Sequence, residues 1–254
     1  MSAPVAVVTG ANRGIGRAIA VAFAAAGYTV LASARDPASL ADTVAEAGSS
    51  GGTVVAAAGD VCDEASMAAL AAAAQELGPV EVVVANAGVA GPTAPLHEIT
   101  LAQWRVTLAT DLDGVFLTFR PFIPDLIARR SGSLIAISSM TGKRPLYGRT
   151  PYAAAKMGVI GLVRTLATEL GPYGIRVNAL CPGYVAGPRI DMVVRKQAEV
   201  RGVPEEQVQA EVTGVSPLGE LVAARDVAAA CVYLATAAAI TGEDLNVTAG
   251  VVMY

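Results

Sequence analysis

Tyr152 and Lys156 stand one helical turn apart in the segment TPYAAAKMG, separated by three alanines. Alanine is the strongest helix former, and this spacing puts both side chains on one helix face. An ammonium beside a phenol favours the phenolate, which makes a phenol a usable proton donor near neutral pH. An isolated pair of this type also suits a plain amphipathic surface. Its chemistry therefore depends on a cofactor and an orienting group elsewhere in the chain.

The segment TGANRGIG at 9–16 offers the cofactor. It follows a short apolar run and opens a helical one. Glycines at 10, 14 and 16 permit a tight turn and close backbone approach to a pyrophosphate. The helix start then presents unsatisfied N–H groups to the anion. Gly10, Asn12, Arg13, Gly14, Ile15 and Gly16 are the expected phosphate-side residues. The second apolar run ends Ser33-Ala34-Arg35, without the acid that holds a ribose 2′-hydroxyl in NAD sites. Arg35, joined by Arg13, instead suits a 2′-phosphate, so NADP(H) is expected over NAD(H). Asp36 is placed to neutralise part of the Arg35 charge.

The elements that must position these residues alternate along the chain. Apolar runs at 5–9, 29–34, 53–58, 80–85, 133–138, 175–180 and 243–248 read as buried strands, apolar on both faces. Helical patterns lie near 14–26, 38–47, 64–77, 101–130, 152–170 and 225–236. Strand–helix–strand repetition implies right-handed crossovers and an α/β, doubly wound parallel sheet of about seven strands with helices on both faces. With no linker or repeat, residues 1–254 read as one dinucleotide-binding domain. The polar stretch 184–218 fits the alternation worst and is expected to be a substrate lid with one or two short helices.

Bulk properties exclude other classes. The chain has 254 residues, is 54% hydrophobic and carries a net charge of −4, with no basic stripe for nucleic acid. Residues 18–34 are uncharged but broken by Gly27, and read as helix, stop and strand, not as a membrane span. No signal peptide is indicated at the N-terminus, and a cytoplasmic location is expected. Cys62, Cys181 and Cys231 form no metal spacing with the single His97 and read as reduced thiols in or near the core. His97 reads as a surface or cap residue, and Trp104 as a helix packing anchor.

TGANRGIG (9–16), Asp60-Val61, NAG (86–88), Ser139, YAAAK (152–156) and PG (182–183) occur in the order found in short-chain dehydrogenases/reductases. The chain resembles that family, in its ketoreductase-like form, from residue 5 to about 250. The resemblance implies a Rossmann-like fold and reduction of a ketone or aldehyde, or the reverse alcohol oxidation, by hydride transfer. It implies that Tyr152 protonates the alkoxide, that Lys156 binds the nicotinamide ribose and favours the phenolate, and that Ser139 holds the carbonyl oxygen. Asp60 and the Val61 backbone would meet the adenine. Asn86, Ala87 and Gly88 would line the cofactor, and Pro182, Gly183 and Val185 would abut the nicotinamide. A small-molecule carbonyl or alcohol partner and a homotetramer or homodimer follow from the same resemblance.

Three positions depart from the family pattern. Asp111 stands where the family usually has an asparagine that fixes a helix kink and a water in the proton relay. An aspartate keeps the acceptor but loses the amide donor, and its charge faces toward Lys156; it is carried as a candidate catalytic residue. Gly187 replaces a threonine that holds the nicotinamide amide, and TAG at 248–250 replaces DGG. Asp111 and Gly187 are the grounds for an alternative, a weakly active or non-catalytic NADP-binding partner protein. An isomerase or dehydratase using the same groups is a third reading.

Met140, Leu146, Tyr147, Tyr184 and Met192 are candidates for an apolar pocket, or ordinary packing. Lys143, Arg144, Arg149, Arg189, Arg195 and Lys196 lie near its mouth. They suit a carboxylate, phosphate or carrier-bound substrate, although solvated surface charge is the expectation for most. Arg129-Arg130 resembles part of a carrier-protein patch in ketoacyl reductases, and equally suits a helix C-terminus.

Overall fold

The computed structural model describes residues 3–254. The strands are β1 (Val5–Thr9), β2 (Thr29–Ala34), β3 (Thr53–Ala58), β4 (Val80–Ala85), β5 (Gly132–Ile137), β6 (Ile175–Pro182) and β7 (Asp244–Val247). They form one seven-stranded sheet in the order β3-β2-β1-β4-β5-β6-β7, every neighbouring pair parallel. The chain reverses its direction of travel between β1 and β4. Such a switch point opens a crevice at the carboxyl ends of the strands, where ligands bind in open α/β sheets. Thr9 and Gly10 reach it from one side and Asn86 from the other.

Residues β-branched or small on both faces let the central strands be covered twice; β1 is buried throughout. One face packs against α1 (Gly14–Ala25), α2 (Ala41–Ser49) and α11 (Ala224–Thr236), with Ile19, Phe23, Val227 and Leu234 in that core. The other packs against α3 (Glu64–Leu77) and α8 (Thr150–Leu170), with Met67, Leu70, Val159 and Val163. β3 departs from the two-faced pattern: it is one of the two edge strands, and Thr53, Ala56 and Ala58 are exposed. α3 occupies the expected residues 64–77, started by Asp63, whose carboxylate accepts from the Ser66 N–H.

The expected single helix over 101–130 is broken. α4 (Leu101–Leu108) runs into a π-helical turn at Ala109–Asp113, then α5 (Gly114–Phe119), and α6 (Ile123–Arg129) follows a break. Pro121 has no N–H for the preceding turn, and Pro124 sits in the first turn of α6, so the second break has a covalent cause. The π turn inserts a residue without any such marker.

The segment 184–218 forms two helices, α9 (Pro188–Arg201) and α10 (Glu205–Gly214), both longer than expected. They enclose their own small core of Tyr184, Ile190, Val194, Val208 and Val212 against Met140. Met140 and Tyr184 are thus packing residues, while Tyr147 and Met192 are exposed. Among the described residues, no helix is long and apolar enough to cross a membrane.

Candidate active site

The phosphate-side cradle is built on glycines whose backbone or close neighbours favour the absence of a side chain. Gly10 and Gly14 have φ of +65° and +55°. A Cβ on Gly16 would lie 2.2 Å from the Gly10 carbonyl oxygen and 2.4 Å from Asn86 Nδ2. Nothing lies within 4 Å of a Cβ placed on Gly14. Arg13 caps α1 without any side-chain bond to it, so the helix N–H groups stay available to an anion. Asn86 fastens the turn to the central strand: its Nδ2 donates to the carbonyls of Thr9 (2.9 Å) and Gly10 (3.1 Å). Thr9 Oγ1 in turn accepts from the N–H groups of Asn86 and Ala87. These features fit a dinucleotide pyrophosphate.

Arg13 and Arg35 are both exposed at the mouth of this cradle. Asp36 turns away from Arg35 and accepts from the Ala38 N–H at 3.0 Å. Arg17, by contrast, is engaged with Asn12 and Asp42. Asp60 Oδ1 accepts from the Cys62 N–H, and Val61 is buried against Gly114. At the end of β6, Pro182 is buried and Gly183 donates to the Val247 carbonyl; a Cβ there would meet Thr248 Cα at 2.8 Å. Val185 forms an isolated parallel bridge with Val222, which fixes the base of the 184–218 segment.

The residues expected to handle the proton come from the end of β5 and from α8. β5 delivers Ser138 and Ser139. Ser138 Oγ donates to the Lys156 carbonyl at 2.7 Å. Ser139 caps the short α7 (Met140–Lys143), its Oγ accepting from the Thr141 N–H at 3.1 Å, which leaves its own hydroxyl proton to donate. α7 lies hard against α8: a Cβ on Gly142 would meet the Lys156 carbonyl carbon at 2.9 Å. Tyr152 sits in the first turn of α8, and Lys156 one turn later is buried with its Nζ donating to the Ile137 carbonyl at 3.0 Å. That Nζ lies 5.7 Å from the Tyr152 ring centroid and 3.9 Å from Asp111 Oδ1.

Asp111 is fully buried in the π turn. Its Oδ1 accepts from the Val89 N–H at 2.8 Å, and its Oδ2 has no partner. Burial raises its pKa above the ordinary carboxylate value, against the opposing pull of Lys156, the Val89 N–H, Arg189 and Arg149. Gly88 is glycine for a visible reason, since a Cβ there would meet Asp111 Oδ1 at 2.5 Å. Gly187 has φ +134°, where a threonine would be strained, so the residue that departs from the family pattern also suits its own backbone.

Two of the cations expected to be solvated are not. Arg149 is 4% exposed, and Lys143 is enclosed between Asp244 and Asn246. Both burials come from segments far away in sequence. Arg189 is exposed but reaches across from α9 to the carbonyls of Gly88 and Val89. The Arg129 and Arg130 guanidinium groups are spent within the fold, Arg129 on Asp125 and the Val80 carbonyl, Arg130 on the Pro172 carbonyl. Cys62 is exposed, contrary to expectation. Cys181 and Cys231 are buried, and burial pushes the Cys181 thiol up to about 11. His97 is on the surface, as its position suggested.

A parallel sheet with its glycine turn at the switch point and a serine, tyrosine and lysine at the strand ends defines a nicotinamide-dependent oxidoreductase of the α/β type. Residues 4–199 match the short chain dehydrogenase family. The chain is 41% identical, over 99% of its length and 94% of the relative's, to the granaticin polyketide synthase putative ketoacyl reductase 1 of Streptomyces violaceoruber. It is 40% identical to the cis-4-hydroxycyclohexanecarboxylate dehydrogenase of Sinomonas cyclohexanicum, over 97% and 95%. A single-residue variant of the actinorhodin polyketide ketoreductase with NADPH superposes over 100% of both chains with a TM-score of 0.94 and 34% identity. The protein belongs to the short-chain dehydrogenase/reductase family and is an enzyme interconverting a carbonyl compound and an alcohol by hydride transfer.

Proposed function

We propose that the protein is an NADPH-dependent reductase of a small ketone or aldehyde, working as a homodimer or homotetramer, with Ser139, Tyr152 and Lys156 as its catalytic residues. The observation that carries this reading is the buried Lys156 beside Tyr152 at the strand ends, next to the glycine cradle. NADPH, when bound, supplies the hydride. The cradle would hold its pyrophosphate, and Lys156, with donors beyond the one spent on the Ile137 carbonyl, would hold the ribose. Arg13 and Arg35, exposed and with Asp36 engaged elsewhere, support NADP(H) over NAD(H). The NADPH in the polyketide ketoreductase supports NADP(H) as a cofactor, and the choice over NAD(H) rests on the two arginines.

The residues then do three things. Ser139 Oγ–H donates to the carbonyl oxygen and strengthens its hold as negative charge grows there. Tyr152 Oη–H gives its proton to that oxygen as it becomes an alkoxide, so the product is a neutral alcohol and Tyr152 is left as phenolate. The Lys156 ammonium favours that phenolate until a proton returns. The ketoacyl-reductase and hydroxycarboxylate-dehydrogenase names of the relatives support a substrate carrying an acid-derived group. Asp111 retains its acceptor role and Gly187 suits its backbone, so nothing favours the non-catalytic alternative.

Tyr152→Phe tests the reading. Turnover of a carbonyl panel should fall by more than the roughly 10²–10³ typical of losing one charge-stabilising donor. NADPH should still bind, read by its fluorescence. Substantial residual reduction in this variant would remove Tyr152 as the proton donor.

A further inference from the structure

Tyr152 is surrounded by positive charge in a way that proton delivery alone does not require. The Arg149 guanidinium carbon lies 4.8 Å from its ring centroid, Lys156 Nζ 5.7 Å and the Arg189 guanidinium carbon 5.8 Å. The one carboxylate among them, Asp111, is held toward its neutral form by burial and forms no hydrogen-bonded ion pair with any of the three among the described residues.

Arg149 is the unusual member. It is 4% exposed, yet it has no carboxylate partner among the described residues. Its Nη2 donates to the Ala90 carbonyl at 2.6 Å and its Nη1 to Thr93 Oγ1 at 3.3 Å. Its Nε is buried with no partner. A guanidinium offers five N–H donors in a planar fork, so much of this group's capacity is unspent. Enclosing an arginine without a counter-ion is costly. Attaching the 88–95 loop to the start of α8 does not need it, because the Ala94 N–H already donates to the Gly148 carbonyl at 3.0 Å. Arg189 comes to the same loop from the lid, bonded to the Gly88 and Val89 carbonyls at 3.3 and 2.8 Å. Two guanidinium groups from separate elements thus converge on one loop, each within cation–π range of the tyrosine ring.

We propose that Arg149 and Arg189 form an anion subsite beside Tyr152, and that the substrate is an oxo acid whose free carboxylate lies a few bonds from the carbonyl being reduced. This rests on the carbonyl-reductase reading and narrows it. The planar fork suits a carboxylate held through two parallel hydrogen bonds. Arg189 stands on the first turn of α9, just after Gly187, and already reaches across to the loop that holds Arg149, so two separate elements present cations to one anion.

The test compares short oxo acids (3-oxobutanoate, 4-oxopentanoate and 4-oxocyclohexanecarboxylate) with their methyl esters as substrates of the full-length protein and NADPH. At least one acid should exceed its ester by about tenfold or more in kcat/KM, the worth of a charge-assisted hydrogen bond. In Arg149→Met and in Arg189→Met the acid-to-ester ratio should collapse toward one, through a rise in KM for the acid. Arg189 is exposed, so its variant folds even if the buried one does not. Acids and esters reduced alike by the wild type, or acid and ester lowered in the same proportion by both variants, overturn the proposal: the cations then act on Tyr152 and not on substrate. If neither series is reduced, the reductase reading fails. The subsite is then judged by titrating the NADPH-bound protein with pentanoate, whose binding Arg189→Met should weaken; no binding by the wild type overturns it.

Discussion

At Asp111 burial competes with charge attraction, and burial wins. The Oδ1 atom is satisfied by the Val89 N–H, while Oδ2 is enclosed without a partner. Its pKa is raised in the fold relative to an unfolded value of about 3.9. The native state therefore retains a proton that the unfolded chain has lost, and stability falls as pH rises from the ordinary carboxylate range through the folded value. Asp111→Asn keeps the acceptor and removes the titration. It should match the wild type in thermal unfolding near pH 4 and exceed it near pH 8, by about 2–4 °C for each kcal/mol gained. Equal shifts at both pH values would mean that Asp111 does not titrate in this range. At the other end of the crevice, Arg35→Asp should move cofactor preference from NADPH toward NADH, read by paired fluorescence titrations. An unchanged ratio would assign the 2′-phosphate to other groups.

These residues differ in how visibly they announce themselves. Tyr152, Lys156, Ser139 and the 9–16 glycines were legible because their types and order have few other uses. Arg149 was visible as a cation near the mouth, but its burial was not. That depends on the 88–95 loop and the lid closing over it, and both are far away in sequence. The orphaned Oδ2 of Asp111 was hidden for the same reason.

At the scale of elements, strands were legible almost to the residue because buried parallel strands are short apolar runs bounded by turns. The break after α5 is written in Pro121 and Pro124, although the apolar pattern runs on through it. The π turn at 109–113 has no sequence marker, and it is what directs Asp111 under the 88–89 loop. Such turns recur at functional sites, where an extra residue re-aims a side chain. α9 starts at Gly187, whose φ of +134° a larger residue resists. Gly187→Thr restores the family's usual residue yet should destabilise the protein by about 1–3 kcal/mol and raise KM. Thermal unfolding and steady-state kinetics check it; a gain in both stability and activity would show that the lid base readily adopts another backbone.

For the molecule as a whole, the outer helices are not uniformly polar. Leu101 and Val106 on α4, Phe116 on α5 and Met157 on α8 are each about half exposed or more, and α4 packs along α8. Apolar surface of this extent on packed helices suits self-association. Phe116→Glu should shift the mass in solution, read by light scattering, to a smaller species; a wild type already monomeric would refute the proposed oligomer.

Four consecutive residues of the chain, Asn86 to Val89, bind three separate parts of it. Asn86 holds the carbonyls of the glycine turn, Gly88 and Val89 receive the lid's Arg189, and Val89 donates to Asp111. The strip is thus a common anchor for the glycine turn, for Arg189 and for the buried carboxylate, and a shared anchor is where binding at one place can be felt at another. Thermodynamic reciprocity then sets the terms: by whatever factor the dinucleotide tightens the hold on substrate, substrate must tighten the hold on the dinucleotide.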